Sequence, residues 1–168
     1  MTRLRRQRPT RSGQAWGAIL LAAIAVVFWQ AAAVRAETGE QVQADRNAGI
    51  AIRGFDPVSY FTEGEPQAGV REHEFRHDGA TWRFHSEANL AAFAKDPDHY
   101  VPRYGGHDPV AVGQGIARPG DPDFWAIHDK KLFLFQSEDA KRDFELDPAS
   151  MTMLAEATWS HLRETLAP

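Results

Sequence analysis

Two pairs of short segments in which apolar and polar residues alternate recur in the C-terminal part of the chain. Residues 75–77 and 81–84 alternate around Asp78-Gly79, and residues 124–128 and 132–135 do the same around Asp129-Lys130. A period of two is typical of half-buried strands, and an Asp-Gly pair between two such runs favours a two-residue hairpin turn. The pattern therefore predicts two β-hairpins, of which the second has the weaker turn signal.

Each hairpin is followed by residues that favour the start of a helix. Ser86 and Ser137 are suitable N-caps, and each is followed by an acidic residue in the first helical turn. The five Asp-Pro pairs, which begin at residues 56, 96, 108, 121 and 147, are interpreted as an N-cap aspartate with proline at the first helical position. The pair at 147 predicts a last helix that runs through Leu154, Trp159 and Leu162.

These elements belong to an internal repeat. Residues 75–97 align with residues 126–148 without a gap, and residues 54–58 align with residues 106–110. Each copy contains Gly-x-Asp-Pro-Val, a hairpin, a helix that starts after Ser-Glu, and an Asp-Pro pair, and Phe93 of the first copy matches Phe144 of the second. We therefore predict an α+β fold in which two pseudo-repeated β-hairpin–helix units pack as one small domain over residues 49–168, with repeat one at 49–105 and repeat two at 106–168.

The first 36 residues are typical of a targeting segment rather than of a folded domain. A basic start is followed by an uncharged run from Gly13 to Val34, and small residues before Glu37 provide a cleavage site. The uncharged run also reaches the roughly 20 residues that span a bilayer, so a cleaved signal peptide and an uncleaved N-terminal anchor both stay open. Residues 37–48 form a polar lead-in. Either alternative predicts a periplasmic or otherwise extracytoplasmic protein that contacts the inner membrane only through this segment, if it is uncleaved.

The charge of the chain changes sign at this boundary. All 23 acidic residues lie after Ala36, whereas 6 of the 19 basic residues precede it, so the chain from Glu37 carries 13 basic and 23 acidic residues and a net charge of −10. This balance argues against nucleic acid as a partner, because nucleic acid requires a basic face, and it suits solubility and cationic partners, metal ions included. The absence of cysteine excludes thiol catalysis, zinc thiolate sites and iron–sulfur clusters.

Several short motifs together resemble the YHS domain in its exported branch. They are residues 54–61 (Gly-Phe-Asp-Pro-Val-Ser-Tyr-Phe), residues 82–86 (Trp-Arg-Phe-His-Ser), Phe93, Asp96-Pro97, Tyr100, Pro102 and residues 104–106 (Tyr-Gly-Gly). The resemblance covers residues 49–106 clearly and the second copy more loosely. It implies a small α+β fold and, in the metal-associated branch of the family, soft-metal ligation by cysteines after Asp-Pro-Val and in a Phe-Cys-Ser segment.

This chain departs from the family pattern where those ligands would lie. Ser59 follows Asp-Pro-Val, His85 precedes Ser86, and Asn89 follows three residues later. His107 and Asp108 follow the glycine pair, where relatives have an aromatic residue and a cysteine. Imidazole and carboxylate bind Zn²⁺ or Cu²⁺, so the metal-ligand candidates are His85, His107 and Asp108.

The sequence offers little support for an enzyme. Ser86 and Ser137 are explained by helix capping, and the chain contains neither a phosphate-binding loop nor a Gly-x-Ser-x-Gly motif nor a His-Glu-x-x-His pair. The leading hypothesis is a non-enzymatic binding or accessory domain of the envelope, with no cofactor expected and with a protein or small-ligand partner that the sequence does not identify. A Cu or Zn binder that uses histidine and aspartate is the first alternative, and an enzyme with an unrecognised site is the second.

Overall fold

A computed structural model of the chain describes residues 49–166; the predicted targeting segment 1–36 and the lead-in 37–48 lie outside the described residues. The predicted α+β fold is confirmed, with two antiparallel hairpins that are each followed by helices. The strands are β1 Val70–His77, β2 Ala80–Phe84, β3 Asp121–His128 and β4 Lys131–Phe135. The helices are α1 Ser59–Thr62, α2 Glu87–Lys95, α3 Pro97–Tyr100, α4 Pro109–Gly113, α5 Glu138–Leu146 and α6 Pro148–Glu164. None of these helices is both long and apolar enough to cross a bilayer.

The two hairpins share their register and also an irregularity that the alternation did not predict. β1 pairs with β2 and β3 with β4, and in each hairpin the first strand bulges at the same place, between Val70 and Glu74 and between Asp121 and Trp125. The first strands are therefore longer than predicted, because the hydrophobic alternation is interrupted at the bulge while the pairing continues beyond it.

Both hairpin turns place their two central residues in the left-handed region. Asp78 and Gly79 have φ values of 48° and 77°, and Asp129 and Lys130 have 48° and 61°. This geometry is that of a turn whose twist matches the twist of the strands, and it favours glycine. Lys130 adopts this left-handed conformation although it carries a Cβ. Because such a residue is uncommon at this position, the sequence signal for the second turn was weaker than that for the first.

Replacing Lys130 with glycine is expected to raise the free energy of unfolding by about 1 kcal/mol, because it removes the steric cost of a left-handed residue that carries a Cβ. Gly79→Ala is the matched control in the first hairpin. A Cβ at Gly79 meets no atom within 4 Å, so its expected loss of stability reports backbone strain alone. Urea unfolding of both variants measures the effect, and a Lys130→Gly variant no more stable than the parent would contradict the assignment of strain to this turn.

The two predicted helix starts at Ser86 and Ser137 are confirmed. The Ser86 Oγ accepts a hydrogen bond from the Asn89 N–H at 3.2 Å, and the Ser137 Oγ accepts one from the Ala140 N–H at 3.2 Å. Two of the five Asp-Pro interpretations are wrong. Asp56 lies two residues before Val58, the N-cap of α1. Asp121 starts β3 rather than a helix, and its Oδ1 accepts the Asp123 N–H at 3.1 Å, so it stabilises a turn inside the bulged strand.

Repeat-equivalent phenylalanines lie at the centres of two apolar clusters. Phe93 is fully buried and Phe144 is 1 % exposed. Phe93 contacts the rings of Trp82 and Phe84, and Phe144 makes the equivalent contacts with Phe133 and Phe135. The two hairpin–helix units are therefore built around the same aromatic arrangement.

Strand β4 joins the two clusters into one domain. Its side chains Leu132 and Leu134 belong to the cluster around Phe93, whereas Phe133 and Phe135 belong to the cluster around Phe144. All four are buried, because successive side chains of a strand point to opposite faces and both faces of β4 are covered.

A left-handed turn precedes each Asp-Pro-Val motif and extends the repeat beyond the aligned residues. Ile52 and Arg53 have φ values of 40° and 55°, and Tyr104 and Gly105 have 55° and 60°. The glycine that ends each turn accepts a hydrogen bond at its carbonyl from a glycine N–H further along, at 2.9 Å in repeat one and 3.0 Å in repeat two. Those donors are Gly69 and Gly120. A Cβ on Gly120 would lie 2.6 Å from the Leu134 Cβ, so the loop approaches the hairpin too closely for a larger residue.

Candidate functional site

Asp56 of the first Asp-Pro-Val motif is fully buried and holds three separate segments together. Its Oδ1 accepts the Val58 N–H at 2.8 Å. Its Oδ2 accepts the His85 N–H and the Asn89 side-chain amide, each at 2.8 Å. The carboxylate therefore fixes the turn before α1 to the end of β2 and to the first turn of α2.

Asp108 has the equivalent place in repeat two, and it binds equivalent backbone N–H groups near its own helix and after the hairpin. It is also fully buried. Its Oδ1 accepts the Val110 N–H at 2.8 Å and the Ala111 N–H at 3.4 Å, which caps α4. Its Oδ2 accepts the Gln136 N–H at 3.0 Å, directly after β4. The aspartate of the motif therefore connects its own helix start to the end of the hairpin in both copies.

Two of the three positions where the resemblance would have placed metal ligands, Ser59 and Asn89, contribute side chains to this polar network in repeat one. The Ser59 Oγ donates to the Asp56 carbonyl at 2.8 Å and accepts the Gln67 N–H at 3.1 Å. Asn89 donates to the Asp56 carboxylate, as described above, whereas the His85 side chain is exposed. Ser59 and Asn89 thus satisfy buried polar groups in the scaffold.

His107 lies inside repeat two. It is 3 % exposed, and its Nδ1 is 2.8 Å from the Tyr104 carbonyl oxygen. A carbonyl oxygen only accepts hydrogen bonds, so Nδ1 carries the proton. The imidazole ring also lies 5.7 Å from the Trp159 ring, centroid to centroid. The residue therefore links the left-handed turn to α6.

The structure does not bring the three predicted ligands together as a metal centre. Within residues 49–166, no group of three or more His, Asp or Glu side chains is arranged to hold a metal ion. His85 is exposed at the end of β2, His107 is buried against Trp159, and both oxygens of Asp108 accept backbone hydrogen bonds. Metal binding by these residues stays a prediction.

Two further histidines lie beside the hairpin turns. The Nε2 atom of His77 is 3.5 Å from the Asp78 carboxylate, and that of His128 is 3.4 Å from the Asp129 carboxylate. Each ring also packs edge-on against the phenylalanine at the centre of its own cluster. These histidines therefore connect turn and core.

A cleft of about 500 Å³ lies between the two repeats. Repeat one contributes residues 98 and 101–104, from α3 and the segment after it, and repeat two contributes one residue of β4 and one side of α6. Across this boundary the Lys131 Nζ donates to the Asp98 carbonyl at 3.1 Å. The side chains that line the cleft are Asp98, Val101, Pro102, Arg103, Tyr104, Lys131, Glu156, Trp159 and Arg163.

The floor of the cleft is a connected polar and aromatic cluster. Arg103 is paired with the Glu156 carboxylate and lies over the Tyr104 ring, 5.4 Å from its centroid. The Tyr104 hydroxyl donates to the Thr152 carbonyl at 3.3 Å. Burial raises the pKa of Tyr104 above its usual value, against the opposing effect of the Arg103 guanidinium, so the hydroxyl stays protonated at neutral pH.

Sequence reasoning did not find this cleft. Of the residues that line it, Trp159 is predicted only as an apolar position of the last helix. The residues that line the cleft come from separate segments between Asp98 and Arg163, and no local spacing connects them. Only the packing of α6 beside the turn at Arg103–Gly106 brings them together.

Neither a protein-family model, nor a curated protein, nor a solved structure matches this chain. The resemblance to the YHS domain therefore stays a prediction from the sequence motifs.

Proposed function

We propose that this chain is a non-enzymatic binding or accessory domain of the bacterial envelope, and that the cleft between its repeats is the binding site. The observation that carries the proposal is the cleft itself. Its volume of about 500 Å³ lies within the range of roughly 300–1,000 Å³ that ligand-binding pockets have. Both repeats contribute to its lining, so the duplication provides a site that one copy alone would lack.

The roles of the buried polar groups support a binding domain over an enzyme. Asp56 and Asp108 are used to fix helix starts to hairpin ends, and Ser86 and Ser137 cap helices. In the cleft, the hydroxyl of Tyr104 donates to the Thr152 carbonyl and lies 3.5 Å from the Glu156 carboxylate, which is longer than the roughly 2.6–3.2 Å that joins a nucleophile to its base. The envelope location is supported by the N-terminal pattern and by the change of charge at Glu37.

Native mass spectrometry combined with elemental analysis, on protein purified from its own envelope, tests this proposal. We expect protein that starts near Glu37 or retains its N-terminal segment in the membrane, that carries a small organic adduct, and that contains no stoichiometric Cu or Zn. A stoichiometric metal that is lost in both His85→Ala and His107→Ala, but kept in the control His77→Ala, would overturn the proposal in favour of the metal-binding alternative.

A further inference from the structure

The basic side chains of this acidic protein are concentrated at the cleft. Residues 49–166 contain twelve lysine and arginine residues, and three of them, Arg103, Lys131 and Arg163, line this one site. The chain after residue 36 has 23 acidic and 13 basic residues, whereas the cleft is lined by more basic than acidic side chains. A locally positive lining attracts anions and raises their concentration at the site.

The carboxylates in the lining do not cancel this charge. Glu156 is already paired with Arg103, and its Oε1 lies 3.5 Å from the Tyr104 hydroxyl. Lys131 donates to a backbone carbonyl, which is a neutral acceptor and leaves the charge of the amine in place. Arg163 has no ion pair with any residue in the described part of the chain. Asp98 is the remaining carboxylate, so Lys131 and Arg163 keep the lining net positive.

One wall of the cleft is a fixed aromatic surface. Trp159 is half-buried, and its ring contacts the rings of Tyr104, with centroids 5.8 Å apart at 69°, and His107, with centroids 5.7 Å apart at 43°. A ring fixed in this way offers a flat apolar surface to a ligand without losing conformational freedom on binding. Arg163 lies four residues further along the same helix, and residues four apart share a helical face.

Resting on the proposed function, we propose that the cleft binds a small organic anion that carries a flat apolar or aromatic group. Lys131 and Arg163 hold the anionic group, and Trp159 contacts the flat group. Lysine binds an anion as a compact charge, whereas arginine can donate two parallel hydrogen bonds to a carboxylate or a phosphate. Both anionic groups therefore fit this lining.

Isothermal titration calorimetry of the full-length protein with four matched probes tests this proposal. Phenyl phosphate and benzoate carry the two anionic groups, while benzyl alcohol is neutral and benzylamine is cationic. We expect the anionic probes to bind at least tenfold more tightly than the other two, and the better of the anionic probes identifies the preferred group. Removal of one charge by Lys131→Gln or Arg163→Gln is expected to weaken that binding by about tenfold, since a hydrogen bond to a charged group is lost.

Lys130→Gln is the control, because it removes the same charge from the neighbouring residue of the hairpin, which does not line the cleft. Equal weakening by this control would overturn the proposal, since it would show an effect of net charge alone. Failure of both anionic probes to bind would also overturn it. Tight binding of benzyl alcohol or benzylamine that Trp159→Phe weakens would overturn the anion assignment and leave the binding domain in place.

Discussion

Replacing Phe93 with alanine is expected to lower the free energy of unfolding by about 3–5 kcal/mol, the usual cost of removing a fully buried phenylalanine. The ring is fully buried among Phe75, Trp82 and Phe84, which cannot all move to fill the space that it leaves. Phe144→Ala is expected to cost a similar amount in the second cluster. Urea unfolding followed by tryptophan fluorescence measures both losses.

The same experiment tests whether the two repeats unfold together. Because the side chains of β4 belong to both clusters, each alanine variant should shift one common transition to lower urea concentration. Leu146→Ala is the control on the helix that carries Phe144. Leu146 is 81 % exposed, so its replacement should change the free energy of unfolding by no more than about 0.5 kcal/mol. Two separate transitions, only one of which moves, would contradict a shared domain.

The local elements of this fold could be predicted because their signals lie close together in the sequence. The turn at Asp78-Gly79 follows from two adjacent residues, and the helix starts at Ser86 and Ser137 follow from a serine before an acidic residue. The repeat was visible for the same reason, since each copy contains these signals in the same order. The equivalent burial of Phe93 and Phe144 then follows from the alignment.

The interactions between segments distant in sequence were not predictable in this way. The alternation predicted for residues 132–135 is wrong. Unlike residues 81–84, this run is continuously apolar, because β4 is covered on both faces. The alternation predicted a hairpin in both cases but not that β4 would lie between two clusters. The cleft depends on that packing, because Lys131 of β4 reaches it only where α3 and α6 meet the strand.

The Asp-Pro-Val aspartates show most clearly that local sequence signals do not predict contacts between distant segments. The Asp-Pro pattern predicts that both aspartates cap helices. This is correct for Asp108, which caps α4, but wrong for Asp56, which lies two residues before the N-cap of α1. The pattern did not predict that the second oxygen of each carboxylate binds a residue 29 positions further along in repeat one and 28 in repeat two. A capping position is a local property, whereas a bond to the end of the hairpin requires the fold to be known.

Asp56→Ala and Asp108→Ala are each expected to lower the free energy of unfolding by about 3–5 kcal/mol, because each leaves several buried N–H donors without an acceptor. Asp56→Asn is expected to lower the free energy of unfolding by less than Asp56→Ala. Its side-chain oxygen can still accept a hydrogen bond, whereas its NH₂ group would face an N–H donor and leave it without an acceptor. Asp147→Ala is the matched control within another Asp-Pro pair, where the carboxylate is exposed and interacts with Ser150 alone, through its N–H at 3.1 Å and its side chain. Urea unfolding should show a clearly smaller loss for this control. Equal losses for Asp147→Ala and Asp56→Ala would mean that the aspartates stabilise the fold by helix capping alone, and that their bonds to the ends of the hairpins contribute little.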